Sequence, residues 1–311
     1  MSKSEKEMRV VYAETLNALM EADPSVVCVE ADLSKASGTN PLVRKANPAR
    51  FVNCGVSEAN MIGVASGLAR EGKKPFCASF SCFAARRVYD QVTISVAYAN
   101  NNVKIVGTAP GVTQGPNGGT HMCFQDLAIM RAMPNMRVFS PCDPHELKAL
   151  MKYLATSNGP AYMQLVRPKV DMVFDESYVF DPDRAVVVRK GGDVTLVATG
   201  YMTSFAVRAT AELAEKGVDV ELLHYPSVKP FDQQTLIASA QKTRGVVIVE
   251  NQSIIGGLGG AVCEVLSEKC PTRVKRLGIP DQFGEVASEE YLLAKHRFGI
   301  ADIISAVEGF L

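Results

Sequence analysis

The chain has 311 residues, 47% of them hydrophobic, which is enough apolar material for substantial cores in two domains. Its 33 basic and 33 acidic residues cancel and form no long run of one sign, which argues against a nucleic-acid partner or an anionic membrane surface. No apolar run approaches the roughly 18 residues that span a bilayer. The eight cysteines lack metal-ligand or disulfide spacing, so we expect reduced thiols, no metal site and a cytoplasmic protein.

Short runs rich in Val and Ile alternate with helical patterns in the first half, which predicts a parallel sheet with helices on both faces. The predicted helices are Glu5–Glu21, Glu58–Arg70, Ala84–Ala99, Gln125–Ala132 and Pro144–Thr156. The predicted strands are Val26–Glu30, Pro75–Phe80, Val103–Gly107, Met136–Ser140 and Ala161–Val166. We assign these elements to a first α/β domain over residues 1–166.

Residues 167–192 are rich in Pro, Asp and Lys and have no clear period, so we interpret them as a linker. The alternation then restarts and predicts a smaller α/β domain over residues 193–311. Its predicted strands are Val194–Thr199, Val218–Leu223, Gly245–Glu250 and Val274–Leu277, and its predicted helices are Thr203–Lys216, Gln233–Ala240, Gly260–Glu268, Ser288–Leu293 and Ile300–Phe310. The predicted fold class is α/β with two doubly wound sheets.

The predicted helix that begins at Glu58 carries its first carboxylate among small and apolar residues. No partner for this carboxylate is evident in the sequence. A buried carboxylate either raises its pKa or finds a hydrogen-bonded partner, and shielding by Val56, Ala59 and Met61 would let Glu58 retain or share a proton near neutral pH. We therefore predict a catalytic carboxyl.

Two aromatic residues mark the end of the predicted strand Pro75–Phe80. Phe80 and Phe83 stand three residues apart where the strand passes into a helix, a place where a flat ring can be held. Together with one acid, these aromatic walls predict a heteroaromatic cofactor.

A glycine-rich segment over residues 107–121 follows a predicted strand, at the carboxyl end where open α/β sheets bind ligands. It ends in His121, whose imidazole can present a neutral or charged nitrogen to a sugar oxygen near neutral pH. His145, His224 and His296 have ordinary helix or strand settings and are interpreted as structural. His121 is therefore the candidate histidine of the site.

Seven short strings follow one another along the chain: Glu30-Ala-Asp-Leu33, Gly55-Val-Ser-Glu-Ala-Asn60, Phe80-Ser-Cys-Phe83, Arg87-Val-Tyr-Asp-Gln91, Gly118-Gly-Thr-His121, Met133-Pro-Asn-Met136 and Ser253-Ile-Ile-Gly-Gly-Leu-Gly259. Each is weak alone, but their joint order and spacing are informative. In this order they resemble the C-terminal half of transketolase. The resemblance runs from about Arg9 to the final helix.

The resemblance implies a pyrimidine-binding domain that uses thiamine diphosphate, followed by a smaller transketolase C-terminal-like domain. In the family, another domain type binds the diphosphate through Mg²⁺ with a Gly-Asp-Gly motif followed by an asparagine. Gly191-Gly-Asp-Val194 lacks that asparagine and is interpreted as a turn. We therefore expect a separately encoded, diphosphate-binding subunit that holds Mg²⁺, in an α2β2 heterotetramer with a homodimer contact.

The resemblance also assigns roles toward the cofactor. Glu58 would hydrogen-bond the N1′ nitrogen of the aminopyrimidine and favour its imino tautomer. Phe80 and Phe83 match the aromatic positions around the pyrimidine, and Asp32 matches a segment that faces cofactor and acceptor. Arg86 stands where many transketolases have another aromatic contact, so its guanidinium is a candidate for stacking on the ring.

Sugar recognition is implied for further residues. Arg9 and Arg167 match positions that hold the sugar phosphate, and Ser34 lies near the segment that faces the acceptor, so we expect a phosphorylated or otherwise anionic ketose and aldose. His121 matches a substrate position.

The same loop departs from the family at two positions. Ala109 replaces a substrate histidine, and Asn117 replaces an aspartate that contacts a sugar hydroxyl. These changes allow a specialised sugar, for example a branched or sulfonated one.

Two other interpretations stay open. The chain is alternatively a β subunit of a 2-oxoacid dehydrogenase or a deoxyxylulose-phosphate-synthase-like enzyme, which share the domain plan and the glutamate. The second alternative is that the chain is a catalytically silent subunit that only binds a partner. The run Gly256-Gly-Leu-Gly-Gly260 lacks the full dinucleotide spacing and is interpreted as a packing turn without a ligand.

Overall fold

The computed structural model describes residues 1–311, and strands and helices alternate through its first half. The strands are β1 (Val26–Glu30), β2 (Phe51–Asn53), β3 (Lys74–Phe80), β4 (Lys104–Thr108), β5 (Arg137–Phe139) and β6 (Ala161–Leu165). The α-helices are α1 (Met8–Ala22), α2 (Ser34–Ser37), α3 (Leu42–Ala46), α4 (Glu58–Arg70), α5 (Tyr89–Gln91), α6 (Asp126–Ala132) and α7 (Pro144–Thr156). Two π-helical segments, Cys82–Arg86 and Val92–Tyr98, and two 3₁₀ segments, Pro48–Arg50 and Gly111–Asn117, complete this half.

The second half continues the alternation. Its strands are β7 (Val186–Arg189), β8 (Val194–Ala198), β9 (Val220–His224), β10 (Ser227–Lys229), β11 (Val246–Ser253) and β12 (Val274–Ile279). Its helices are α8 (Met202–Glu215), α9 (Gln233–Ala240), α10 (Leu258–Lys269), α11 (Glu289–His296) and α12 (Ile300–Glu308). None of the helices of this structure combines the length and the apolarity that a membrane crossing requires.

The strands form two mainly parallel sheets. The first has the order β10-β5-β6-β4-β3-β1-β2 and the second the order β12-β11-β8-β9-β7. Only the edge strands β10 and β7 are antiparallel, to β5 and β9 respectively. The predicted α/β class with two sheets is therefore confirmed.

The first sheet is buried on both faces because its central strands are continuously apolar. Along β1, Val26 and Cys28 pack in one core cluster with α1 and α7, whereas Val27 and Val29 pack in another with α4 and α6. This alternation follows from the two-residue period of a strand. Helices on both faces leave the carboxyl ends of the strands as the open edge, where the loops meet.

Most predicted elements are present, and helices α4, α7 and α9 begin and end as predicted. The predicted continuous helix Ala84–Ala99 is wrong, because two π-helical segments flank the short helix α5. Strand β7 lies within the predicted linker and is an edge strand with partly exposed residues. Its three valines are a strand signal, but the Pro, Asp and Lys of the surrounding segment led to the linker assignment. Strand β10 has three residues, too few to show a period.

The glycine run at residues 256–260 begins helix α10 and is filled by a side chain of its own domain. Glu250 accepts hydrogen bonds from the backbone N–H groups of Leu258 and Gly259, both at 2.8 Å. A Cβ at Gly257 would lie 2.2 Å from the Glu250 carboxylate, so the glycine permits this approach. The positive end of the helix is thus occupied by the carboxylate.

A buried acid and a buried histidine join the two halves of the chain. Glu146 on α7 pairs with Nε2 of His224 at the end of β9, at 2.9 Å, and also accepts from the Tyr178 hydroxyl at 2.6 Å. The other ring nitrogen of His224 bonds the Thr203 hydroxyl at 2.7 Å. Burial opposes ionisation, yet His224 and the hydrogen bonds hold the pKa of Glu146 below its ordinary value.

Replacing Glu146 with Ala should lower the free energy of unfolding by about 3–5 kcal/mol, because His224 would stay buried without its partner. Guanidinium unfolding of the full chain measures this. Glu14→Ala, which removes an exposed pair with Lys6, is the control and should cost about 0–1 kcal/mol. Equal losses in the two variants would show that the buried pair adds nothing.

Candidate active site

Glu58 is the first residue of α4, and its side chain is only 4% exposed. Nη1 of Arg87 donates to its Oε2 at 2.9 Å, so the absence of a partner expected from the sequence is wrong. Val56 and Ala59 are exposed, and only Met61 of the three expected shielding residues is buried. An arginine, rather than an apolar wall, therefore stabilises this carboxylate.

Three rings gather near this pair. The centroids of Phe80 and Phe83 are 6.0 Å apart, and the His121 ring lies 6.1 Å from Phe80 and 5.4 Å from Phe83, edge-on to both. The guanidinium of Arg87 lies 4.0 Å over the Phe83 ring. Phe80 ends β3, Phe83 lies in the first π-helical segment, and His121 closes the glycine-rich loop, so three separate elements build one aromatic wall.

Arg87, and not Arg86, occupies the position between the acid and the rings. Arg86 is exposed and its Nη2 donates to the carbonyl of Thr120 at 3.4 Å, on the loop that carries His121. Arg87 begins one of the seven strings of the sequence, yet no role was predicted for it. Adjacent residues of a helix point in different directions. Arg87, whose N–H bonds the carbonyl of Cys82 at the end of the π-helical segment, is the one that reaches Glu58.

The two predicted phosphate arginines lie at one cavity of about 350 Å³, which Glu289 of the second domain also lines. Arg9 is paired with Glu7 at 2.6 Å. Nε of Arg167 is buried without a partner, and its guanidinium lies 5.7 Å over the Phe80 ring. Burial and the positive charge of Arg9 lower the pKa of Arg167. This half-buried positive charge is suited to an anion.

Three other predicted residues lie apart from this cavity. Asp32 is exposed with a positive φ of 62°, and its backbone N–H and carboxylate both bond Asn53. Ser34 is buried, and its carbonyl accepts from the hydroxyls of Ser37 and Thr39. Asn117 is exposed at the end of the 3₁₀ segment. The lining of the cavity with Arg9 includes none of the three.

Glu30, at the carboxyl end of β1, was missed as a site-supporting residue. It is fully buried, and its Oε1 accepts from the hydroxyls of Ser37 and Thr39 at 2.6 Å each, while Oε2 has no partner. Burial raises the pKa of Glu30 to about 7, and the two hydroxyl bonds oppose this only in part. Glu30 thereby fastens the Asp32-containing loop to the sheet.

The chain matches two family models. The model "Transketolase, pyrimidine binding domain" covers residues 4–172 and "Transketolase, C-terminal domain" covers residues 183–303. The chain is 45% identical to the "6-deoxy-6-sulfo-D-fructose transketolase subunit SqwH" of Clostridium sp. (strain MSTE9), over 94% of this chain and 90% of that protein.

Two further comparisons agree. The chain is 36% identical to one of the subunits of the apulose-4-phosphate transketolase of Phocaeicola vulgatus, over 88% of both proteins. A solved structure described as "Split gene transketolase, inactive beta4 tetramer" superposes with a TM-score of 0.91 at 40% identity, covering 98% of each chain. The similarity thus extends over both domains in sequence and in structure.

The raised pKa of Glu30 makes the stability of the chain depend on pH. In the unfolded chain Glu30 has its ordinary pKa of 4.5, so it ionises there at a lower pH than in the folded chain. The free energy of unfolding is therefore highest below pH 4.5, where Glu30 is protonated in both states, and it falls as the pH rises toward 7. Between pH 5 and pH 8 the wild type should lose about 2–3 kcal/mol relative to Glu30→Gln, which cannot ionise. Thermal unfolding midpoints at both pH values test this, with the exposed Glu71→Gln as control. A constant difference between wild type and Glu30→Gln would contradict the prediction.

Proposed function

Because this chain belongs to the transketolase family, we propose that it is the pyrimidine-binding subunit of a thiamine-diphosphate-dependent enzyme that transfers a two-carbon ketol unit between sugars. The observation that carries the proposal is the buried carboxyl of Glu58, held by Arg87, which also lies over the ring of Phe83. The rings of Phe80 and His121 complete this wall.

The residues present fit the aminopyrimidine of thiamine diphosphate. Oε2 of Glu58 accepts from Arg87, and no group of the chain donates to Oε1, so one oxygen is available to a ring nitrogen. Phe80 and Phe83 offer faces or edges to a flat ring. When bound, the cofactor supplies the carbon that takes up the two-carbon unit. Glu58 would hold the proton shared between its Oε1 and the ring nitrogen.

We assign His121 to the sugar. Its Nδ1 is engaged with the Thr120 hydroxyl at 2.8 Å, which orients the ring, and Nε2 has no partner within the chain. Nε2 can therefore donate to or accept from a sugar hydroxyl at the aromatic wall. We keep Asp32 and Arg86 as proposed contacts to the cofactor, and Ser34 and Asn117 as proposed contacts to the sugar.

We further propose that donor and acceptor carry an anionic group. Arg9 and Arg167 at one cavity support this, because guanidinium pairs well with phosphate or sulfonate oxygens. The names of the two relatives refer to a sulfo-sugar and to a sugar phosphate, which supports the same class. Ala109 is buried in a small cluster with Phe80. Because alanine has no polar side-chain atom, it offers the sugar one hydrogen-bond partner fewer than a histidine would.

The diphosphate and Mg²⁺ are assigned to a partner subunit, in an α2β2 assembly. Two relatives that match over most of their length are named as subunits, and the solved relative is described as an inactive tetramer of β chains. The eight cysteines are free thiols, which supports a location in the reducing cytoplasm.

Reconstitution tests the proposal. We expect transfer from xylulose 5-phosphate, or from a sulfonated ketose, to an aldose phosphate only when this chain is mixed with the diphosphate-binding subunit, thiamine diphosphate and Mg²⁺. Glu58→Gln should lower kcat by about 100-fold or more without preventing assembly, because proton exchange at the ring nitrogen is lost. The exposed Glu71→Gln serves as control. Decarboxylation of a 2-oxoacid would support the alternative dehydrogenase or synthase function. Full activity of the Glu58→Gln variant would show instead that this chain is a catalytically silent subunit.

Arg167→Ala should lower kcat/KM for an anionic sugar roughly 10- to 150-fold, mainly through KM, because a charged hydrogen bond to the anion is lost. A neutral sugar of the same stereochemistry should show no such difference between wild type and variant. Arg208→Ala, on the exposed face of α8, is the matched control. Equal losses with charged and neutral sugars would remove Arg167 from anion binding.

A further inference from the structure

We propose that the second domain positions the glycine-rich loop that carries His121, and that Asn251 at the end of β11 is the residue that fixes this loop. Asn251 touches the loop and not His121, whose contacts are Thr120, Phe80 and Phe83. It is therefore a positioning residue. Its effect on catalysis rests on the proposed function, whereas its effect on the loop does not.

The start of the loop is held by the Asn251 side chain. Oδ1 of Asn251 accepts from the backbone N–H of Val112 at 2.9 Å, and Nδ2 donates to the carbonyl of Pro110 at 3.1 Å. Gly111 lies between them with a φ of 61°, and a Cβ there would be 2.2 Å from Asn251. Because the buried amide of Asn251 both donates and accepts, it restricts the backbone of residues 110–112 to the conformation that satisfies both hydrogen bonds.

The end of the loop is held by the two residues that follow Asn251. Nε2 of Gln252 donates to the carbonyl of Cys123 at 3.4 Å, and the backbone N–H of Ser253 donates to the carbonyl of Phe124 at 2.7 Å. Gly111 N–H bonds the Cys123 carbonyl at 3.0 Å and closes the loop at its base. One strand end thus holds both ends of the segment that displays His121.

Apolar side chains anchor the same two ends. Val112, Met122 and Phe124 belong to the core cluster of the second domain, where they pack with residues such as Leu277 and Leu292. The hydrogen bonds therefore lie in a buried setting, in which a lost partner is costly. The loop therefore packs against the second domain, although its residues belong to the first domain in sequence.

The middle of the loop is supported by residues 284–287 of the second domain. A Cβ at Gly115 would lie 2.4 Å from the carbonyl oxygen of Ala287, and one at Gly119 would lie 2.4 Å from the carbonyl oxygen of Gly284. Gly118 has a φ of 71°, and a Cβ there would lie 2.7 Å from Cγ2 of Val286 and 3.2 Å from its backbone nitrogen. These glycines therefore permit two backbones to lie in direct contact, which limits how far the loop can move.

Asn251→Asp tests the proposal in the full chain. Aspartate has the same shape and can still accept from Val112, but its ionised carboxylate cannot donate to Pro110, so an oxygen faces an oxygen. We expect faster hydrogen exchange at the amides of Gly111, Val112 and Met122, by about tenfold or more. Amides of α4 should be unchanged. If Asn251→Asp folds poorly, Gly284→Val is the second variant. It places a side chain against Met122 from a partly exposed segment and should also speed hydrogen exchange at the loop amides.

Activity of the reconstituted enzyme gives the second readout. Asn251→Asp should lower kcat/KM roughly 10- to 100-fold, as expected when a reacting group is displaced, and leave thiamine diphosphate affinity unchanged. In a His121→Ala background the same change should cost less than about twofold, because the group it positions is gone. Ser239→Ala, which removes buried hydroxyl bonds elsewhere in the second domain, should lower stability and keep kcat/KM.

Two results would overturn the proposal. One is unchanged exchange of the loop amides in folded Asn251→Asp or, where that variant does not fold, in Gly284→Val. The other is a loss of kcat/KM that is the same with and without His121. If the reconstituted enzyme transfers no ketol unit from any sugar, the proposed function fails, and the exchange measurement alone still decides whether the second domain holds the loop.

Discussion

The ion pair between Glu58 and Arg87 organises the candidate site. A carboxylate buried at the start of α4 needs a hydrogen-bonded cation, and Arg87, which directly follows the π-helical segment after β3, supplies one from the side of the aromatic residues. Because the same guanidinium lies over Phe83, the acid and the ring wall have a common support. One carboxylate oxygen is thereby committed to the protein and the other remains free for a ligand.

The parallel sheets were predictable because continuously apolar strands and amphipathic helices have strong local periods. Glu58, Phe80, Phe83 and His121 were predicted as one site, and the structure brings the three rings together. Arg87 was not assigned, since the sequence does not show which of the two adjacent arginines reaches Glu58, 29 positions away. Glu30 was predicted only as the last residue of a strand, because the sequence does not show that its carboxyl bonds Ser37 and Thr39.

The contribution of the second domain was also not predictable. The bonds of Asn251 to the glycine-rich loop join residues 139 and 141 positions apart, and the pair of Glu146 and His224 joins residues 78 positions apart. Sequence patterns report local periods and not such distant partners. His224 was interpreted as structural, and its buried pair with Glu146 agrees with that interpretation.

Strand β10 limits how the chain can be rearranged by recombination. Its residues follow β9 of the second sheet, yet they complete the edge of the first sheet beside β5, and Lys229 bonds the carbonyls of Arg131 and Met133. A chimera joined at residue 192 would pair a foreign β10 with this β5, or leave β5 as a bare edge open to other chains. Exchange of the second domain between relatives therefore requires a matched edge strand as well as a matched active site.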